Sequence, residues 1–150
     1  MRVLFAPDYR RGVPYQARLA EALVPFGFEV EFLSDYPRGL PLYRGWQRAG
    51  RPSLVHLHWP EAYFYHTDWG HRAARVMRYR VDLSLLLGEV TMVLTAHNLY
   101  PHNRWQEFGV KANIRRTVGA AEAIFVHSVK AAQKMVEEFG ISDSRCQVIP

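Results

Sequence analysis

The chain has 150 residues, 49% hydrophobic and 22% charged, with a formal net charge of +5. That fits one globular domain with its own core and favours anionic partners such as phosphates or acidic lipid headgroups. Cys146 is the one cysteine, and the opening apolar run stops at Pro7-Asp8. These features exclude a disulfide scaffold, a cysteine-rich zinc site, a signal peptide and a membrane span, and they point to a reducing cytoplasm.

Residues 3–6 form an unbroken apolar run and predict a first strand. The following turn, residues 7–14, contains Arg10, Arg11 and Gly12. A glycine there lets a backbone approach a phosphate, and a helix start favours anions. A plain strand-to-helix turn explains the segment equally well. Its spacing is not G-x-G-x-x-G, which argues against a dinucleotide cofactor. Leu19, Ala20, Leu23 and Val24 share a helical face, with Gly27 placed to end it. Residues 28–33 predict a second strand.

Residues 35–52 carry Pro37, Gly39, Pro41, Gly45, Gly50 and Pro52 and read as a long loop. Four arginines lie among Tyr36, Tyr43 and Trp46 in this stretch. Residues 54–58 predict a third strand, in which His56 and His58 point to the same side. His56 is expected to be a hydrogen-bonded core imidazole. His58 is expected at the rim, beside Trp59 packing or stacking on a sugar face. Glu61 is the nearest carboxylate, or simply a helix-start acid. Metal binding by His56 and His58 with His97, His102 and His127 lacks the usual ligand spacing and a carboxylate or thiolate partner. Tyr63, Phe64 and Tyr65 are expected to be exposed. With Trp46 and the basic loop they would make a patch for an acidic lipid surface, unless they bury into the core or against another domain.

Residues 71–87 predict a helix, 90–95 a fourth strand, 104–121 a helix and 123–126 a fifth strand. Ser128 is placed as an N-cap, followed by an apolar face of Val129, Ala132, Met135, Val136 and Phe139 and a terminating Gly140. His127 sits at the end of the fifth strand, facing a crevice or buried and hydrogen-bonded. Residues 146–149 predict a sixth strand, with the chain expected to continue into a second domain.

This alternation implies an α/β, Rossmann-like open parallel sheet with helices on both faces. The expected strand order is 3-2-1-4-5-6, with a ligand crevice beyond the carboxyl ends of the first and fourth strands. The second loop bordering it runs Ala96-His97-Asn98-Leu99-Tyr100-Pro101-His102-Asn103-Arg104. Imidazole there can hydrogen-bond a sugar or accept a hydroxyl proton near neutral pH; a polar turn is the plainer explanation.

Several segments resemble glycosyltransferase family 4 and its two-domain GT-B relatives. Residues 16–23 lead into Gly27-Phe28-Glu29-Val30, similar to the family's helix ending in G-H/F-E-V. Residues 54–61, LVHLHWPE, resemble the V-H-x-H-W strand of bacterial members that act in exopolysaccharide or glycolipid synthesis. Thr95-Ala96-His97-Asn98 resembles the T-x-H-(N/D/T) loop, whose histidine reaches the interdomain cleft. Residues 123–128 resemble I-x-V-x-S, and Gln147-Val148-Ile149-Pro150 the V-I-P run before the interdomain linker. The first turn departs from the family: Gly12 stands alone where a Gly-Gly pair is usual.

The resemblance implies the amino-terminal, acceptor-side half of a GT-B enzyme, with the donor-binding domain and its E-x7-E segment lying outside this chain. It implies transfer from a nucleotide sugar, as co-substrate, to a hydroxyl acceptor on a glycan or glycolipid. No further cofactor and no metal are implied. His97 is implied as the key polar residue, hydrogen-bonding donor sugar in a retaining enzyme or acting as base in an inverting one, with Glu61 or Asp68 as competing bases. His58, Glu61, Asn98, Arg104, His127 and Gly12 are the expected substrate-binding residues. The expected location is the cytoplasm, with peripheral contact on the inner face of the membrane. The competing reading is a non-catalytic Rossmann-like module for an anionic ligand. No nucleic-acid motif accompanies the basic charge.

Overall fold

The computed structural model describes residues 1–34, 39–98 and 108–149. Short β-branched and aliphatic runs form six parallel strands, β1 (Arg2–Ala6), β2 (Glu29–Phe32), β3 (Leu54–Leu57), β4 (Thr91–Thr95), β5 (Ala123–Val126) and β6 (Cys146–Val148). They make one sheet in the order β2-β1-β3-β4-β5-β6. The expected order, with the third strand outermost, is therefore wrong. The chain leaves β2 and crosses back over β1, so β3 pairs with β1 directly. The reversal falls between β1 and β3, and the turns after these two strands border the switch point. The loop after β4 lies next in line.

Alternate residues of the strands face two different layers. Leu4, Ala6, Val55, Leu57, Met92, Leu94, Ile124 and Val126 pack beneath α2 (Pro41–Arg48), α3 (Trp69–Leu87), α4 (Val110–Ala120) and α5 (Val129–Phe139). The opposite face carries Val3, Phe5, His56, Val93 and Phe125, met by Leu19 and Leu23 of α1 (Pro14–Leu23). An apolar trough of about 280 Å³ remains on that side.

The segment read as a long loop contains α2. Pro41 occupies the first turn, where its missing N–H costs nothing. No side chain of α2's own N-cap serves the next amides. Instead, buried Asp82 of α3 accepts from Leu42 N–H (2.9 Å) and Tyr43 N–H (2.8 Å). Gly45 lets the helix lie against β2's exit, since a Cβ there would stand 2.3 Å from Leu33 Cδ1. Trp46 is buried and donates its indole N–H to Pro52 O at 2.8 Å.

The aromatic cluster is likewise not a surface patch. Tyr63 and Phe64 are buried and Tyr65 is half-buried. Phe64 packs on Tyr79, with ring centroids 4.8 Å apart. The 3₁₀ turn Pro60–Tyr63 folds these rings under α3, where apolar burial outweighs exposure.

Helix ends follow the local chemistry. Ser128 Oγ accepts from Ala131 N–H, and Gly140 closes α5 in the left-handed region. α3 starts earlier than residue 71 because Asp68 caps it, accepting from His71 N–H at 2.8 Å. The expected helix start at residue 104 lies outside the described residues.

Replacing Asp82 with Ala orphans two buried amides of α2. It should cost about 2–3 kcal/mol, measured as a lower urea midpoint with an unchanged slope.

Candidate functional site

Parallel pairing places Ala6 opposite Leu57, Leu57 opposite Leu94, and Thr95 opposite Phe125. Continuing this register brings the residues just past β1, β3, β4 and β5 to one edge. His56, His58, His97 and His127 share strand parity and gather there on the α1 side. The His56 and His58 rings stack at 4.2 Å and 25°. His58 lies 5.8 Å from His97, and His97 lies 5.3 Å from His127. Trp59 stacks on His97 at 3.9 Å and 6°, and Tyr9 packs on Trp59 at 5.3 Å. Tyr15, at the start of α1, meets His97 and His127 edge-on at 5.1 and 5.6 Å.

The expectation for His56 holds: it is buried, with Nε2 2.8 Å from Thr95 Oγ1. His58 departs from its expected rim position. It is buried under Tyr15, Trp59 and His97, and neither ring nitrogen has a hydrogen-bond partner among the described residues. His97 is half-buried, with Nδ1 3.3 Å from Nε2 of exposed His127 and its own Nε2 buried without a partner among the described residues. A cavity of about 20 Å³, lined by His58, Trp59, Glu61, His97 and Asn98 among others, opens beside these rings. Asn98 and His97 also border a hollow of about 310 Å³ that includes Ser128, Lys130 and Lys134. The amino end of α5 and two lysines make that hollow electropositive.

The other expected site residues are placed differently. Gly12 lies in the turn after β1, where its N–H already donates to Tyr9 O at 3.0 Å. A Cβ at Gly12 would meet nothing within 4 Å, so the backbone does not require glycine there. Arg10 pairs with Asp8 at 2.8 Å and lies 3.8 Å from the centre of the Phe32 ring. Asp68 is committed to capping α3 and to His71. Arg104 and His102 lie outside the described residues. Gln16 carried no recognised signal, yet it is buried and pins the first turn: it accepts from Tyr9 N–H at 2.8 Å and donates to Pro7 O at 2.7 Å. Tyr15 was also missed, because only the fold brings the start of α1 over the imidazoles.

Among the described residues, the set close enough to hold a metal is His66, Asp68 and His71, not the stacked imidazoles. Burial instead governs the site histidines. It holds His56 down to about 3, with His97 adding repulsion. It holds His58 down to about 2, reinforced by His56 and His97. It holds His97 down to about 4, with His127 contributing. All three rings are therefore neutral at pH 7. A neutral His97 of such low basicity is a better hydrogen-bonding group than proton acceptor.

The sheet with its switch point and its edge of polar rings is that of a Rossmann-like half of the GT-B architecture. The sequence matches the Glycosyltransferase Family 4 profile over residues 2–150. The chain belongs to glycosyltransferase family 4. No curated protein matches it. A Listeria monocytogenes structure provisionally assigned as UDP-N-acetylglucosamine 2-epimerase is similar, with a TM-score of 0.55 and 16% identity, over 98% of this chain and 43% of that one. A Neisseria meningitidis UDP-GlcNAc 2-epimerase bound to UDP-GlcNAc gives a TM-score of 0.45 and 12% identity, over 99% of this chain and 46% of that one. The chain thus spans less than half the length of either structure.

In the unfolded chain His56, His58 and His97 protonate near the ordinary value of about 6.5, whereas in the folded chain they do not until far lower. Stability should be full above that pH and fall as the pH drops towards 4. The two buried rings alone should give a slope approaching about 3 kcal/mol per pH unit near pH 5. Urea denaturation across this range measures it, and His58→Gln should remove about half.

Proposed function

We propose that this chain is the acceptor-side domain of a glycosyltransferase that moves a sugar from a nucleotide-sugar donor to a hydroxyl acceptor. The observation that carries the reading is His97: a neutral imidazole at the carboxyl edge of the sheet, clamped flat on Trp59, with Nε2 buried and unpaired among the described residues. A sugar hydroxyl that reached it would meet a ring already oriented by its stack on Trp59. Low basicity favours hydrogen bonding to the donor sugar over removal of the acceptor proton. Asn98 and His127 flank that ring, and Glu61 lines the adjoining cavity. His58 supports the stack from beneath, its ring 5.8 Å from that of His97. The hollow by Ser128, Lys130 and Lys134 suits the donor's anionic phosphates. A second lobe, carried by a longer form of the protein, would close over this edge, exclude water and complete the donor site.

In the full-length enzyme, His97→Ala should lower turnover by about 100-fold or more, measured with the productive donor and acceptor pair. Near-normal turnover would sink the assignment. The 150-residue chain alone should show no transfer with any nucleotide sugar. Nucleotide-sugar binding without transfer, in the full-length protein and under every acceptor tried, would favour the non-catalytic module.

A further inference from the structure

The outward face of α3 is not built like an ordinary solvent-facing surface. A helix packed on a domain normally turns charged or strongly polar side chains to water. Here the outermost line runs through Ala74, Met77, Val81, Ser84 and Leu85, with no charge among them. Met77 and Val81 are each 54% exposed and Leu85 is 42% exposed. Trp69, the first residue of α3 and 65% exposed, lies off this line on the Val76 side, where its ring meets that of exposed Phe108 at 6.4 Å. The buried side of the same helix, including Val76, Tyr79, Leu83 and Leu86, is fully used in the core. The outer stripe is therefore additional apolar surface rather than a misplaced core face.

Arginines border the stripe. Arg78 lies to one side of it and Arg80 to the other, while Arg116 reaches in from α4 to Ser84 Oγ at 2.6 Å. Their described hydrogen-bond partners are neutral: Arg78 donates to Tyr63 O and Arg80 to Asn113 Oδ1. Asp82, the acidic neighbour of Arg78, is buried and gives both oxygens to the α2 amides. Positive charge thus surrounds an apolar strip.

We infer that this face of α3 docks on an anionic lipid surface, with Met77, Val81 and Leu85 entering the headgroup boundary and the arginines meeting phosphates. Charge selects this occupant. A second copy of the chain would bring two sets of Arg78, Arg80 and Arg116 together, and like charges oppose that. An acidic membrane instead satisfies both the apolar strip and its basic border. This surface replaces the Trp46 and Tyr63–Tyr65 patch, whose members fold inward. The inference does not depend on the transferase reading. It does have a geometric corollary, because α3 starts at the same sheet edge as the imidazoles. Docking brings that edge towards the lipid.

Sedimentation of the full-length protein with vesicles tests it. Vesicles rich in phosphatidylglycerol should carry the protein down at low salt, pure phosphatidylcholine should not, and added salt should weaken binding. Met77→Asp with Val81→Asp should weaken binding by about tenfold or more, and Arg116→Gln by about fivefold. These positions are exposed, so circular dichroism should show unchanged folding. Failure to sediment with anionic vesicles overturns the inference, as does undiminished binding by the Met77/Val81 variant. A native dimer that this variant converts to monomer would assign the face to a second copy instead.

Discussion

Parallel strand register is the constraint on which this molecule depends. Each strand contributes its polar residue only after its hydrogen-bonded run has ended, and the ladder decides which of these residues meet. Phe5 stands beside His56, and Thr95 beside Phe125. One residue of slip in β4 would turn His97 to the opposite face and bring Ala96 or Asn98 to the imidazole stack. Everything above the sheet edge, from the Trp59 stack to the cover provided by Tyr15, assumes that alignment.

The second determinant is the unequal treatment of the two faces. Four helices cover one side, over a mainly apolar interior in which buried Asp82, Asn113 and Thr117 are hydrogen-bonded. α1 serves the other, and that is where the imidazoles lie. His56 finds a hydroxyl partner in Thr95, while His58 is sealed among aromatic rings without a partner among the described residues. Burial with so little polar compensation is what keeps these rings uncharged. The organisation of the first turn comes from Gln16, which braces it from α1 through both ends of its amide.

Much of the strand pattern was legible because buried parallel strands need contiguous apolar runs. Ala123–Val126 appears with its expected bounds, and Ser128 and Gly140 delimit α5 as their chemistry requires. The positions of His97 and His127 just past strand ends were legible, but the expected order kept the third strand away from the fourth, so the meeting of His58 with His97 was not. What was not legible depends on contacts distant in sequence. α2 looked like a loop because its amide cap, Asp82, lies forty residues away. Strand order turned on which side of β1 the chain crosses after β2, and local pattern does not encode that. Tyr63 and Phe64 are amphiphilic or apolar rings whose burial is decided by a turn folding them beneath α3. His58 was expected at the rim because its strand ends there; Tyr15, supplied by another element, closes over it.

The depressed basicity of the clustered rings has a further consequence. Histidine is commonly the residue through which a protein senses acidification. In this fold, His56, His58 and His97 have been moved out of that range, so pH changes around neutrality leave their charge unaltered. These three rings therefore present a fixed set of dipoles to whatever enters, in place of a pH sensor.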